Sequence, residues 1–480
     1  MDNEIKKGLF YSFIGKYSNI IVYLIINSIL ARLISPEEYG ILAILMTFIT
    51  FFSNFLEMGW SSAVIQKKEI SKKFLSSVFY INIILGIVIG GAFYLFSYYF
   101  ISIYYNNDVY KILGRYLFFH LFILGLGIVP KALLARQKKF KENAYISLIS
   151  SVLSGVIGII LAYYNFSYYS LIYQGIFLNL FIFLFSYKIS KFKLGLEFSS
   201  KELKSVFSYS SYTFLFNFIN YFSRNLDNIL IGKYIGTFSL GIYDRAYKLM
   251  MYPLSILTHV ITPVLHPVLA SYQDDKERIY FEYIKIVKVL ANLGILVSVV
   301  LFFSGREIIL ILYGKNWENV VPIFKILSIS TAIQIVLSSS GTIFLASGRS
   351  DKLFFSGFIS AIIMVIAILL GVKSKKLEVL GYLLLCAFLI NFFTGYYILI
   401  KQVLKQSFYK FLKEFIKPII LLLILIVVNN LNKLDIENIV FSFLFKGSLN
   451  SIIFLISIKY LYFKDKKLKG IYKLVKDFRK

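Results

Sequence analysis

Along the 480 residues, apolar runs of about 20 residues recur roughly fourteen times, separated by short polar links. At a rise of about 1.5 Å per residue, each run makes a helix that matches a hydrocarbon core of about 30 Å. The runs predict spans at 9–32, 39–61, 76–100, 112–130, 144–164, 168–187, 207–231, 242–268, 286–303, 320–346, 354–370, 379–400, 418–430 and 439–458. The links alternate: lysine-rich ones exceed the nearly charge-free ones in Lys plus Arg by roughly four to one. Cationic links stay on the cytoplasmic side, so the pattern predicts an even number of spans with both termini cytoplasmic. The expected fold class is an all-α integral membrane protein of about 14 transmembrane helices.

The spans repeat. A shift of 201 residues lays Tyr11 on Tyr212, Ser12 on Thr213, Phe13 on Phe214, Asn19 on Asn220, Asn27 on Asn228, Arg32 on Lys233 and Gly40 on Gly241. ILARLISPEEYGIL and LIGKYIGTFSLGIY then coincide without a gap, and at a shift of 211 LLARQKKF meets FLASGRSD. Copies six spans apart share one orientation, which predicts two six-helix lobes related by a pseudo-twofold along the membrane normal. The expected divisions are an N-lobe at 1–200, a C-lobe at 201–405, and two further helices with a basic cytoplasmic tail at 406–480.

Four helices paired by the repeat carry polar stripes at helical spacing. Ser12, Lys16, Asn19, Tyr23 and Asn27 share one arc of the first, and Thr47, Thr50, Asn54, Glu57 and Ser61 one arc of the second. The seventh carries Thr213, Asn217, Asn220, Arg224 and Asp227; the eighth carries Asp244, Lys248, Tyr252, Ser255, His259, Thr262 and His266. Charges at bilayer depth cost at least about 2.5 kcal/mol each and normally face the protein interior or water. The stripes therefore predict a central cavity between the lobes, lined by Lys16, Asn19, Tyr23, Asn27, Asn54, Glu57, Asn217, Asn220, Arg224, Asp227, Asp244, Lys248, Tyr252 and His259. The competing account is that Ser, Thr and Asn hold helices together. It serves the hydroxyls but leaves the charges needing partners, for which Arg224 near Asp227 and Lys248 near Asp244 have the right spacing. Pro253, Pro263 and Pro267 predict kinks in the eighth span.

A net charge of +27 is compatible with nucleic acid, but the cations are scattered through links too short to form a groove. The charge sets orientation instead, and no nucleic-acid partner is expected. The last residues, LYFKDKKLKGIYKLVKDFRK, form a solvated basic tail able to rest on anionic headgroups. Cys386 is the single cysteine, so no internal disulfide can form, and three histidines leave little for a zinc site. The N-terminal apolar run is too long for a signal h-region, so the first helix should be retained. No G-x-x-x-x-G-K-[ST] sequence occurs, which excludes an ATP-driven pump by itself, and no cofactor is expected. Short outer links argue against a membrane enzyme.

The stretch NYFSRNLDNILIGKYIGTFSLGIYDRAYKLMMYPLSILTHVITPVLHPVLASYQDD, with LARLISPEEYGILA and ILYGKNW, resembles polysaccharide exporters of the MOP superfamily. Within it the chain is most similar to the Wzx-like O-antigen and teichuronic acid flippases. The resemblance implies a flippase of the bacterial inner membrane that moves an undecaprenyl-pyrophosphate oligosaccharide to the outer leaflet by alternating access. It implies Lys16, Arg224, Asp227 and Lys248 as cavity residues, membrane lipid and the lipid-linked glycan as partners, and a polysaccharide polymerase with export machinery nearby. Two rival readings are a cation-coupled small-molecule exporter of the same fold, whose cavity should be more acidic, and a polysaccharide polymerase.

Overall fold

In the computed structural model the described residues are 3–57, 59–67, 69–195, 197–199, 221, 225–432, 434 and 436–462, with backbone alone for 3–10, 12, 259–264 and 266–268. Every regular element among them is helical, and eleven helices are long and apolar enough to cross a membrane. These eleven correspond to eleven of the fourteen predicted spans. Of the other three, 207–231 falls mostly outside the described residues, 242–268 lies within a 34-residue helix, and 418–430 forms a helix of 16 residues.

The chain forms two compact units, Met1–Gly241 and Ile242–Lys480. The first contains α1 (Asn3–Leu33), α2 (Pro36–Glu57), α3 (Trp60–Gln66), α4 (Lys72–Phe96, continuing through a π turn to Tyr105), α5 (Val109–Arg136), α6 (Phe140–Tyr163) and α7 (Tyr168–Ser190). Residues 225–234 are helical and lead into α8 (Thr237–Ala270), whose first residues belong to this unit. The second contains α9 (Lys276–Phe303), α10 (Gly305–Leu312), α11 (Val320–Leu337), α12 (Ser340–Ala346), α13 (Ser350–Lys373), α14 (Leu377–Tyr397, continuing to Val403), α15 (Phe408–Lys413), α16 (Ile416–Leu431) and α17 (Ile439–Tyr462). The repeat drawn from sequence counts residues 201–241 with the second copy, whereas the compact unit keeps 225–241 with the first.

Pairing within the units follows the repeat. In the first unit α4 packs on α5, α5 on α7 and α7 on α6; in the second, α9 packs on α11, α11 on α14 and α14 on α13. These are the same three pairings six spans later. Link geometry repeats too. Ile34 N–H donates to Leu30 O and Ile235 N–H to Ile231 O, both at 2.9 Å, a register of 201. Just after the last residues of α5 and α12, Lys138 and Gly348 take left-handed conformations, with φ of 55° and 68°. Lys139 N–H there bonds Leu134 O, and Arg349 N–H bonds Phe344 O. That Schellman-type closure fixes the register at 210, one residue from the sequence match, because the helix ends align and the side chains do not.

Polar contacts place alternate links together, as helices crossing a layer require. On one side of the first unit Ser167 donates to Glu38, Tyr105 Oη donates to Ile229 O at 3.1 Å, and Lys233 donates to Tyr104 O. On the other, the Arg136 guanidinium gathers the carbonyls of Val64, Ile65 and Lys67 at 2.6–3.2 Å, and Gln137 donates to Ser190 O at 3.1 Å. These carbonyls end α3, a short helix separated from α2 by Gly59 at φ 82°. A break in the second span was not expected. The eighth span lies within α8, which stays helical through Pro253, Pro263 and Pro267.

The tightest approach lies where the two copies of the repeat meet inside the first unit. Gly40 and Gly241 pack backbone to backbone; a Cβ at Gly40 would overlap Thr237 O, and one at Gly241 would overlap Pro36 O. The contact is reciprocal, because Pro36 and Thr237 are also 201 apart.

Spans 13 and 14 dock on the second unit through two kinds of contact. Leu421 and Leu425 of α16, with Phe454 and Ile458 of α17, pack around Ile295 and Val299 of α9. At the other end Lys446 and Ser442 of α17 both donate to Glu307 of α10. Burial pushes the Glu307 carboxyl up, but the bonds from Lys446 and Ser442 outweigh it and hold the group below the usual Glu range.

Gly40→Ala or Gly241→Ala should destabilise the purified protein by about 1–3 kcal/mol or more, since the obstacle is a carbonyl that cannot rotate away. An unchanged thermal midpoint in detergent for both variants would show that the helices separate at no cost. For Glu307, a depressed folded pKa means stability present above the ordinary Glu range and lost as pH falls through the lowered value. The gap in thermal midpoint between wild type and Glu307→Gln should be open at neutral pH and close in acid. A gap constant with pH would count against the pairing.

Candidate functional site

Hydrocarbon offers no hydrogen bonds, so each polar group on a stripe must be met by protein or by water. The first helix divides its stripe between those outcomes. Asn19 donates to Gly15 O at 2.8 Å and accepts from Ser151 of α6 at 3.0 Å. The same face holds Gly15 against Ala144 and Gly155 against Ile26, so Asn19 fastens a small-residue seam between α1 and α6. Asn27 is buried and donates to Tyr23 O at 2.8 Å. Lys16 and Tyr23, by contrast, are exposed, and Lys16 forms no ion pair among the described residues.

The second stripe divides likewise. Thr47 is buried, bonds back to Ala43 O at 2.8 Å, and its carbonyl accepts the Tyr221 hydroxyl. Thr50 bonds back to Met46 O at 2.8 Å. Asn54 is half-buried, and Glu57 is exposed with the Ser61 hydroxyl at 3.4 Å. Phe48, Phe51, Phe52 and Phe55 interleave with these positions, and Phe51 lies 5.8 Å from the Tyr221 ring.

On the seventh span Asn217, Asn220 and Arg224 lie outside the described residues. Asp227 is buried, and its carboxylate accepts the Asn228 N–H at 2.8 Å. A bond from its own helix is one way to hold such a carboxylate in a membrane.

In the second unit the first turns of α8 carry a charge cluster. The Asp244 carboxylate is buried and receives Lys248 Nζ at 2.8 Å, the pair expected from their spacing. Arg245 Nε lies 3.5 Å from the same oxygen, and this guanidinium is buried to the same degree. Asp244 thus receives two cations, of which Lys248 is the more accessible at 44% exposure. Arg245 was missed in the sequence because it sits about 100° off the stripe; an arginine next to an aspartate within an apolar span was the available signal. Tyr252 is half-buried, with its carbonyl accepting from Ser255 at 2.8 Å. The His259 side chain lies outside the described residues.

The candidate residues thus sort by partner. Asn19 and Asn27 are satisfied by the protein, whereas Lys16, Glu57 and Lys248 each keep their charged ends exposed.

The family described as polysaccharide biosynthesis protein matches residues 29–322. Lipopolysaccharide biosynthesis protein WzxC of Escherichia coli (strain K12) is 25% identical over 86% of this chain and 86% of its own length. Teichuronic acid biosynthesis protein TuaB of Bacillus subtilis (strain 168) is 23% identical over 87% of this chain and 86% of its own. Among solved structures, lipid II flippase MurJ in an inward closed conformation superposes with a TM-score of 0.74 at 17% identity, covering 95% of this chain and 99% of that one. An inward-facing multidrug resistance MATE family transporter of the MOP superfamily gives 0.57 at 16% identity, covering 81% and 95%. At these identities the structural likeness shows the fold alone.

Breaking the Asp244 cluster should cost about 3 kcal/mol in Asp244→Ala, because a buried carboxylate that receives both Arg245 and Lys248 is removed. Lys248→Ala should cost about 1 kcal/mol or less, since its end is solvated. The thermal midpoints of the two variants, compared in one detergent, test this; equal losses would mean Asp244 serves Lys248 alone.

Proposed function

The chain belongs to the polysaccharide biosynthesis protein family, and from that premise we propose that it is a flippase for a polyprenyl-pyrophosphate-linked oligosaccharide in the bacterial inner membrane. The observation that carries the reading is a family match over residues 29–322, which covers three of the four polar helices, joined to exposed cations on two of the four. Lys16 has no carboxylate among the described residues, and Lys248 is exposed beside its partner. The names of WzxC and TuaB, both surface-polysaccharide biosynthesis proteins, support the same substrate class.

The physical task is to carry a pyrophosphate and a glycan across a layer without hydrogen bonds. Lys16 and Lys248 supply point charges for phosphate oxygens, and Arg224 adds a bidentate fork. Tyr23, Asn54 and Tyr252 offer partners for sugar hydroxyls, while the prenyl tail stays in lipid. Access alternates between the two sides, the six-helix lobes moving about the loaded site. Both termini lie in the cytoplasm, and the glycan passes to a polymerase and export machinery outside. The protein acts as a transporter rather than as an enzyme.

The test is translocation in liposomes. A polyprenyl-pyrophosphate oligosaccharide is placed on one leaflet and an impermeant probe detects sugar on the other. Wild type should move it, and Lys16→Ala with Arg224→Ala and Lys248→Ala should reduce the rate at least tenfold while insertion and thermal midpoint hold. Undiminished transport by the triple variant would remove the cationic site from the mechanism. Efflux of a cationic drug with no glycan movement would move the protein to the small-molecule exporters.

A further inference from the structure

The connection from α14 to α16 is a built surface that transport of the glycan does not use. It carries Lys401, Lys405, Lys410 and Lys413, all exposed and none in an ion pair among the described residues. The one carboxylate in the connection, Glu414, is taken by Lys288 at 2.7 Å. Four like charges within one short connection are therefore left without an ion-pair partner among the described residues, an arrangement that suits an external anion.

The backbone holds them there at a cost. Lys405 adopts φ 55°, the left-handed region that glycine usually fills at a helix end. Leu404 N–H and Gln406 N–H close on Leu399 O and Ile400 O at 2.9 Å on either side, so the conformation is fixed by the chain. α15 is equally fixed. Phe411 is fully buried, stacking 4.7 Å from Tyr396, and Phe415 lies 5.4 Å from Phe392. The opposite face presents Tyr409 at 67% exposure with Lys413 4.6 Å over its ring, and Lys401 similarly sits 5.2 Å over the ring of Tyr397. Tyrosines paired with lysines where two spans end mark the headgroup level of a bilayer. Below them Ile390 and Phe393 of α14 and Ile419 and Leu423 of α16 are exposed apolar residues suited to acyl chains.

We propose that this connection is a binding site for an anionic phospholipid, its phosphate held among Lys401, Lys405, Lys410 and Lys413 and its acyl chains lying along α14 and α16. Charge complementarity selects the headgroup, and the depth of the tyrosines selects a lipid over a free anion. Each cation at a membrane surface contributes roughly a fivefold gain in affinity, so the cluster discriminates strongly against neutral lipid.

The experiment is native mass spectrometry of the full-length protein released from neutral detergent, titrated separately with phosphatidylglycerol, phosphatidylcholine and inorganic pyrophosphate. Wild type should retain phosphatidylglycerol in preference to phosphatidylcholine. Changing all four lysines to Gln should lower that affinity more than tenfold, and changing all four to Arg should restore it. If the quadruple Gln variant fails to fold, Lys410→Gln with Lys413→Gln, both on the solvent face of α15, reads the same effect. Equal retention by the Gln variants, equal binding of phosphatidylcholine, or displacement of the lipid by pyrophosphate at matching concentration would each overturn the assignment.

Discussion

Lipid cannot hydrogen-bond, and that single fact decides where many of the polar side chains among the described residues go. Asn27, Asn82 and Asn292 each donate to the carbonyl four residues back, at 2.7–2.9 Å. Asn429 and Asn450 exchange amide bonds across α16 and α17. Tyr283 and Tyr396 join hydroxyls in the buried core of the second unit and hand the last proton to Val336 O. Against that pattern, an exposed charged side chain such as Lys16 or Glu57 is informative. The protein bears its cost of insertion, and folding does not repay it.

The same solvent removes the usual drive for helices to associate, so close packing must supply it. Gly40 and Gly241 do this most directly. Two backbones approach until either glycine's missing side chain is the space the other's neighbour fills. The contact also explains why the first strand of the repeat was so visible in the sequence. Around these glycines the register cannot slip by a residue without a clash, and 201 holds for helix bonds and side chains alike. Around Lys138 and Gly348 the chain only has to end a helix, many side chains can do that, and the sequence match drifted by one.

Eleven spans were legible because their length is set by the bilayer, a constraint written into each segment. Which polar side chains find partners was legible only in part. Periodicity found the polar arcs but could not say which members meet another helix, and Asn19 turned out to seal α1 to α6. Arg245 escaped because helical periodicity assigns faces, whereas its burial follows from lying next to Asp244 at the start of a helix. The prolines of α8 lie inside one continuous helix, since a membrane helix can lose single bonds and stay helical. The break that does occur, at Gly59, has the ordinary signature of a left-handed glycine, hidden in a sequence with many glycines packed for closeness.

Arg136 gives that break a mechanical meaning. By donating to the last carbonyls of α3, it ties the short helix to α5 more firmly than one glycine ties it to α2. The second span is thus two rods in series, and the shorter belongs by its bonds to a neighbour. Any change in the direction of α2 would therefore meet a left-handed glycine before it met the three bonds that fasten α3 to α5.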